Sequence, residues 1–203
     1  MYSYIAIEGN IGAGKTTLAI RLAQRLNARL LTEQFADNPF LPAFYSNPAS
    51  NALPLELWFL ADRYEQQKES SSSVGAVTVA DYLFFKSQLF ARVNLKGAEL
   101  ALFTRVFDML YPQITQPDVL IYLAAPVATL QAHIKVRGRS YELAIADSYL
   151  EELNEMYEEY LKTLTFPVLK IDTSRFDFEK NEYHLNTLLG LLSGGLERGI
   201  HEL

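Results

Sequence analysis

Cysteine is absent from the 203 residues. That removes thiolate nucleophiles, disulfide staples and cysteine-based zinc sites from consideration. A long apolar run is missing too, since no stretch approaches the roughly 18 uninterrupted apolar residues that a membrane-spanning helix needs. Met1 leads straight into Tyr2-Ser3-Tyr4 without the basic segment that opens an export signal. The expectation is a cytosolic protein with no membrane contact. Positive charge is also scarce, with 18 Lys and Arg against 24 Asp and Glu and a net charge of −6. Duplex nucleic acid is held mostly by Lys and Arg neutralising its phosphates, so no nucleic-acid partner is expected. A small anion needs only a local positive pocket and stays open. Low complexity is confined to Ser70 to Ser73, a loop pattern between a helix and a strand. A domain of this length removes roughly 70% of its unfolded-chain surface from water, so a core can form without staples.

Short β-branched or aromatic runs alternate with longer amphipathic stretches, the pattern of a parallel sheet covered by helices. Five strands are predicted, at Tyr2 to Ile7, Arg29 to Thr32, Ala76 to Ala80, Val119 to Leu123 and Pro167 to Ile171. Helices are predicted at about 15–28, 53–70, 85–112 with a break near Gly97, 126–137, 147–164 and 178–192, several bounded by Pro54, Pro112, Pro126 or Gly138. The segment from Gly190 to Gly199 reads as a fraying tail. The fold expected is a three-layer αβα sandwich around a five-stranded parallel sheet, as one domain over residues 1–203.

The first strand runs into Gly9-Asn10-Ile11-Gly12-Ala13-Gly14-Lys15-Thr16, which satisfies G-x-x-x-x-G-K-[ST], and Thr17 continues into a helix. Glycines let successive backbone N–H groups turn toward a polyphosphate, Lys15 supplies a charge for its β and γ phosphates, and Thr16 offers a hydroxyl to Mg²⁺. Phosphate binding follows, with ATP and Mg²⁺ as the expected cofactors. A D-x-x-G switch followed by an N-K-x-D guanine reader is missing, which disfavours a GTPase, and an ATP-driven motor would need a longer chain. A small-molecule kinase needs a base, an acceptor pocket and cations that follow the moving phosphoryl group. Glu33 stands at the carboxyl end of the second strand, where open α/β sheets place ligands; it is the candidate base, with a solvated loop carboxylate as the alternative. Arg137 and Arg139 end a helix, where they would either close over phosphates or simply complement the helix dipole. His133 shares the helical face of Arg137.

In this combination the chain resembles the deoxynucleoside kinases, the deoxycytidine, deoxyguanosine and deoxyadenosine kinases among them, and the bacterial type in particular. The resemblance rests on Glu8 to Thr17, on Glu33-Gln34-Phe35-Ala36-Asp37-Asn38-Pro39-Phe40, on Tyr45, on Leu55 to Arg63, on Phe90-Ala91, and on Arg137-Gly138-Arg139 with Glu142 and Tyr149-Leu150. It implies ATP-dependent phosphorylation of a deoxynucleoside 5′-hydroxyl, with Glu33 as catalytic base and Asn10, Ile11, Gly12, Ala13, Gly14, Lys15, Thr16 and Thr17 around the donor phosphates. Tyr45 and Glu142 would grip the sugar 3′-hydroxyl, Glu56 and Arg63 would read the base, Phe90 would stack on it, and Arg137 and Arg139 would be lid arginines. A homodimer is implied by the same resemblance.

Three departures from the family pattern matter. The family's E-R-S after the third strand is Ala80-Asp81-Tyr82 here, so Asp81 would take the metal role beside Thr16, and other cations must replace the Arg. The base-reading Gln is Glu56, with Lys86 nearby. A carboxylate only accepts hydrogen bonds, which suits guanine N1–H and N2–H₂, and Lys86 would then face a carbonyl such as O6. The alternative is that Glu56 and Lys86 pair with each other or with Arg63. Third, His133 stands where the family often has another lid arginine. The leading expectation is a purine-leaning deoxynucleoside kinase; the rivals are a thymidylate-type nucleoside monophosphate kinase and a nucleotide-binding regulatory protein with a degraded active site.

Overall fold

The computed structural model of the chain describes residues 2–34, 38–71 and 76–203. Phe35-Ala36-Asp37 of the segment after Glu33, and the Ser72-Ser73 half of the serine run, lie outside them. Strand β1 (Tyr4–Gly9) is buried along nearly its whole length, as a central parallel strand must be. Around it lie β2 (Arg29–Leu31), β3 (Thr78–Ala80), β4 (Val119–Ala124), β5 (Val168–Asp172) and β6 (Ile200–Glu202), in the order β2-β3-β1-β4-β5-β6 and all parallel.

The sixth strand corrects the five-strand expectation and the fraying tail. Helix α8 (Glu182–Gly194) runs to the paired glycines, and the chain then returns to add β6 to β5, with Val168 N–H donating to Gly199 O at 2.9 Å and Leu203 N–H to Lys170 O at 2.9 Å. A three-residue strand with mixed exposure carries no usable alternation, so periodicity cannot find it.

One face of the sheet is covered by α1 (Lys15–Leu26), α6 (Val127–Arg137) and α8, whose Leu18, Leu22, Leu130, Ile134, Leu185 and Leu188 pack on Ile5, Ile7 and Ile121. The other carries α3 (Pro48–Ser71), α4 (Lys86–Asn94), α5 (Gly97–Leu110) and α7 (Asp147–Leu161), where Phe84, Phe103 and Phe107 form a second apolar cluster with Leu55, Phe59 and Leu60. The break near Gly97 is real: Gly97 opens α5 at φ +55°, a left-handed value that disfavours other residues. Pro54 does not start a helix; it lies inside α3, which begins six residues earlier at Pro48, and a short α2 (Leu41–Ser46) precedes it. The fold thus matches the expected α/β class, and the carboxyl ends of β1, β2 and β3 open onto one cleft.

Candidate active site

The loop between β1 and α1 is held from both sides. Asn10 is buried and its Nδ2 donates to Leu150 O and to Asn154 Oδ1, both at 2.8 Å, while its Oδ1 accepts from Ile11 N–H at 2.7 Å. It braces the loop against α7. At Gly12, with φ +85°, a Cβ would stand 2.8 Å from Leu130 O on α6, and His133 Nδ1 lies 2.7 Å from Gly12 O. Since that carbonyl can only accept, Nδ1–H is the donor in this contact. Ala13 N–H closes a turn to Asn10 O at 3.1 Å, and Gly14, with φ 92°, caps α1. Lys15 Nζ folds back to donate to Gly9 O at 2.8 Å and Asn10 O at 2.9 Å. Burial, with Lys86 as a neighbouring cation, lowers its pKa to about 8. Thr17 follows Thr16 in the first turn of α1.

Glu33 sits just past β2 and is buried. Arg63 from α3 donates Nε to Glu33 Oε1 at 2.9 Å and adds a second bond from Nη2, and Lys86 from α4 donates to Oε2 at 2.7 Å. Burial alone would raise the Glu33 pKa, but Lys86, Arg63 and Lys15 outweigh it and bring it down to about 2, so the carboxylate is ionised at neutral pH. Arg63 Nη1 also donates to Ser87 Oγ at 2.6 Å. Asp81, at the end of β3, accepts from Thr16 Oγ1 at 2.6 Å and from Glu33 N–H at 2.9 Å, and burial raises its pKa. A hydroxyl and a carboxylate oxygen side by side at the phosphate loop suit Mg²⁺, a hard cation that takes its remaining ligands from phosphate and water. No group of three or more His, Cys, Asp or Glu side chains that could hold a metal ion occurs among the described residues.

The cleft measures about 610 Å³ out into its open mouth. Ile11, Lys15, Glu33, Glu56, Phe90, Asn94 and Tyr149 line it, together with Tyr45, Arg137, Arg139 and Glu142. Arg137 and Arg139 both pair with the buried Glu142, the latter at 3.1 Å. Tyr45 stacks on Tyr141 with ring centroids 5.7 Å apart. Glu56 accepts from Asn94 Nδ2 at 2.7 Å, and Lys86 Nζ lies 5.3 Å from the centre of the Phe90 ring. Every predicted site residue apart from Thr17 thus lies in the loop, the cleft or the Asp81 contact. The alternative in which Glu56 pairs with Lys86 or Arg63 is not what the structure has: Lys86 and Arg63 meet Glu33. Three participants had no role assigned from the sequence. Glu8 accepts from Gly9 N–H and Leu83 N–H at 2.9 Å and from Tyr157 Oη–H at 3.0 Å; Asn94 and Ser87 join as above. A carboxylate at the end of a buried strand was a signal for Glu8; one more polar residue on a helix was none for Asn94.

A parallel sheet whose strands end at a phosphate loop, with a charged acceptor cleft beside it, defines a P-loop phosphotransferase. The model of the deoxynucleoside kinase family matches residues 5–191, and the chain belongs to that family. It is 37% identical over 187 residues to the deoxyguanosine kinase of Bacillus subtilis (strain 168), with 88% of this chain and 90% of that one covered. It is 29% identical over 195 residues to the deoxyadenosine/deoxycytidine kinase of the same organism, covering 92% and 90%. Among solved structures, the deoxyadenosine kinase from M. mycoides with products dCMP and a flexible dCDP bound superposes with a TM-score of 0.84 at 25% identity, covering 94% of this chain and 99% of that one.

Proposed function

We propose that this chain transfers the γ-phosphoryl group of ATP to the 5′-hydroxyl of a purine deoxynucleoside, with Glu33 as general base. The observation that carries the reading is the buried Glu33 carboxylate, clamped by Arg63 and Lys86 in the same cleft as Lys15. A binding protein gains nothing from burying such a group, whereas a hydroxyl nucleophile needs an acceptor for its proton. As the 5′-oxygen bonds to phosphorus and the bond to the leaving phosphate oxygen breaks, the hydroxyl proton passes to Glu33. Transfer through a loose transition state asks little of the base's strength, which reconciles the role with a pKa of about 2. Lys15, Arg137 and Arg139 balance phosphate charge, and Tyr45 with Glu142 orients the sugar. Mg²⁺, held near Thr16 and Asp81, would neutralise the polyphosphate.

The purine preference rests on Glu56 in the cleft and on the names of the relatives. A homodimer is part of the same reading, with α3 and α5 as its contact face. ATP consumption with Mg²⁺, measured across the four deoxynucleosides, their ribose counterparts and thymidine monophosphate, tests it. Fastest turnover on deoxyguanosine or deoxyadenosine is expected. Turnover on thymidine monophosphate alone would move the chain to monophosphate kinases, and bound ATP without any turnover would favour the regulatory reading.

A further inference from the structure

Helices α3 and α4 lay two stripes of side chains along the cleft. On α3 the stripe is Glu56, Phe59 and Arg63; on α4 it is Lys86, Phe90 and Asn94, spaced at one helical turn each. At one end Arg63 and Lys86 both hold Glu33, and at the other Glu56 and Asn94 hold each other. Seven residues of helix separate Arg63 from Glu56, about 10 Å, which is on the scale of the reach from a deoxyribose 5′-oxygen to the far edge of its purine. A nucleoside with its 5′-hydroxyl at Glu33 therefore lays its base between the aromatic rungs and presents the base edge to Glu56.

Glu56 is buried without an ion pair among the described residues, because both nearby cations are engaged by Glu33. The groups facing it are Asn94 and Lys86 from α4, Arg63 from its own helix, Glu33 beyond β2, Tyr45 from α2 and Tyr149 from α7. Burial raises its pKa to about 7, against the Asn94 hydrogen bond and the pull of Arg63 and Lys86, so both forms of the carboxyl are available near neutrality. The carboxylate only accepts, matching the N1–H and N2–H₂ of guanine and leaving adenine N1 without a donor; the carboxylic acid donates and accepts, matching N1 and N6–H₂ of adenine as well as O6 and N1–H of guanine.

We propose that Glu56 reads both purines, deoxyguanosine in either form of its carboxyl and deoxyadenosine only as the carboxylic acid, with Asn94 holding the carboxyl in place, so that rising pH turns the preference toward deoxyguanosine. This deepens, and rests on, the deoxynucleoside kinase reading of the cleft. The test is kcat/KM for the two deoxynucleosides at saturating ATP and Mg²⁺, followed from about one unit below to about one unit above the Glu56 midpoint. Taking the ratio cancels every titration the two reactions share. For the unmodified chain the deoxyguanosine-to-deoxyadenosine ratio is nearly flat below the midpoint and climbs toward about tenfold per pH unit above it, since only deoxyadenosine needs the proton kept. Glu56→Gln, which always offers a donor and an acceptor, makes the ratio independent of pH. Asn94→Ala removes a hydrogen bond from the ionised form; the line's rising limb moves to higher pH and keeps its slope. A flat ratio in the unmodified chain overturns the proposal, as does a slope that survives Glu56→Gln. If that variant does not fold, an unshifted line in Asn94→Ala overturns it instead. Absence of turnover on any deoxynucleoside is a separate result, which removes the kinase reading itself.

Discussion

At the scale of single residues, the site is a set of charges made tolerable by their neighbours. Glu33 is stable as an anion only because Arg63 and Lys86 stand against it. Glu33→Gln is expected to lower kcat by about 10²- to 10⁴-fold while calorimetry still detects deoxynucleoside binding; full activity would remove Glu33 as the base. Glu56 has the opposite character. Its folded-state pKa of about 7 lies above the ordinary value of 4.5, so the folded chain keeps a proton that the unfolded chain releases. Its contribution is therefore favourable at low pH and is lost as pH rises from about 4.5 to about 7. Glu56→Gln should stabilise the chain at pH values above that window, by roughly 3 kcal/mol at most, and leave it little changed below. Denaturant unfolding on both sides of the window checks this, and equal stabilities on the alkaline side would mean that Glu56 finds a partner in solution.

At the scale of elements, the phosphate loop is shaped by the helices pressed against it. Gly12 touches α6 so closely that Gly12→Ala places a Cβ 2.8 Å from Leu130 O in a left-handed backbone conformation. The cost is expected to be about 1–3 kcal/mol, with a raised KM for ATP as α6 and the loop are driven apart; an unchanged melting temperature and KM would show that the contact yields freely. The glycines were legible as a motif, because strand, glycine turn and Lys15-Thr16 follow in order. Their partners were not. That Asn10 would brace α7, and that His133 would meet Gly12 O, depends on which helices pack beside the loop. Likewise, Arg63 and Lys86 were visible as candidate site residues, but their common partner Glu33 lies 30 and 53 residues away in the chain. Periodicity along α3 or α4 carries no information about such pairs.

At the scale of the whole molecule, the carboxyl-terminal return is structural. Removing residues 196–203 deletes β6, exposes β5 as an edge and breaks the bond from Leu196 N–H to Tyr2 Oη. A lower midpoint of thermal unfolding is expected, and a truncated chain as stable as the full one would restore the view of this segment as a tail. Leu102 and Met109 stand exposed on α5. If α5 forms part of a dimer face, Leu102→Glu with Met109→Glu should halve the mass seen by sedimentation; an unchanged mass would place the interface elsewhere.

Local chemistry and local periodicity were enough to determine the α/β class, most helices, five of the strands and the phosphate loop, because each depends on residues within a few turns of one another. The motifs in order also named most of the residues that the structure brings to the cleft. What only tertiary structure decided is who faces whom: Glu33 between two cations, Asp81 bridging Thr16 and the Glu33 backbone, Glu56 left to Asn94, and β6 beside β5. The reason is physical. A buried charge takes its properties from the partners that burial brings within a few ångströms, and those partners are set by the packing of elements far apart in the chain.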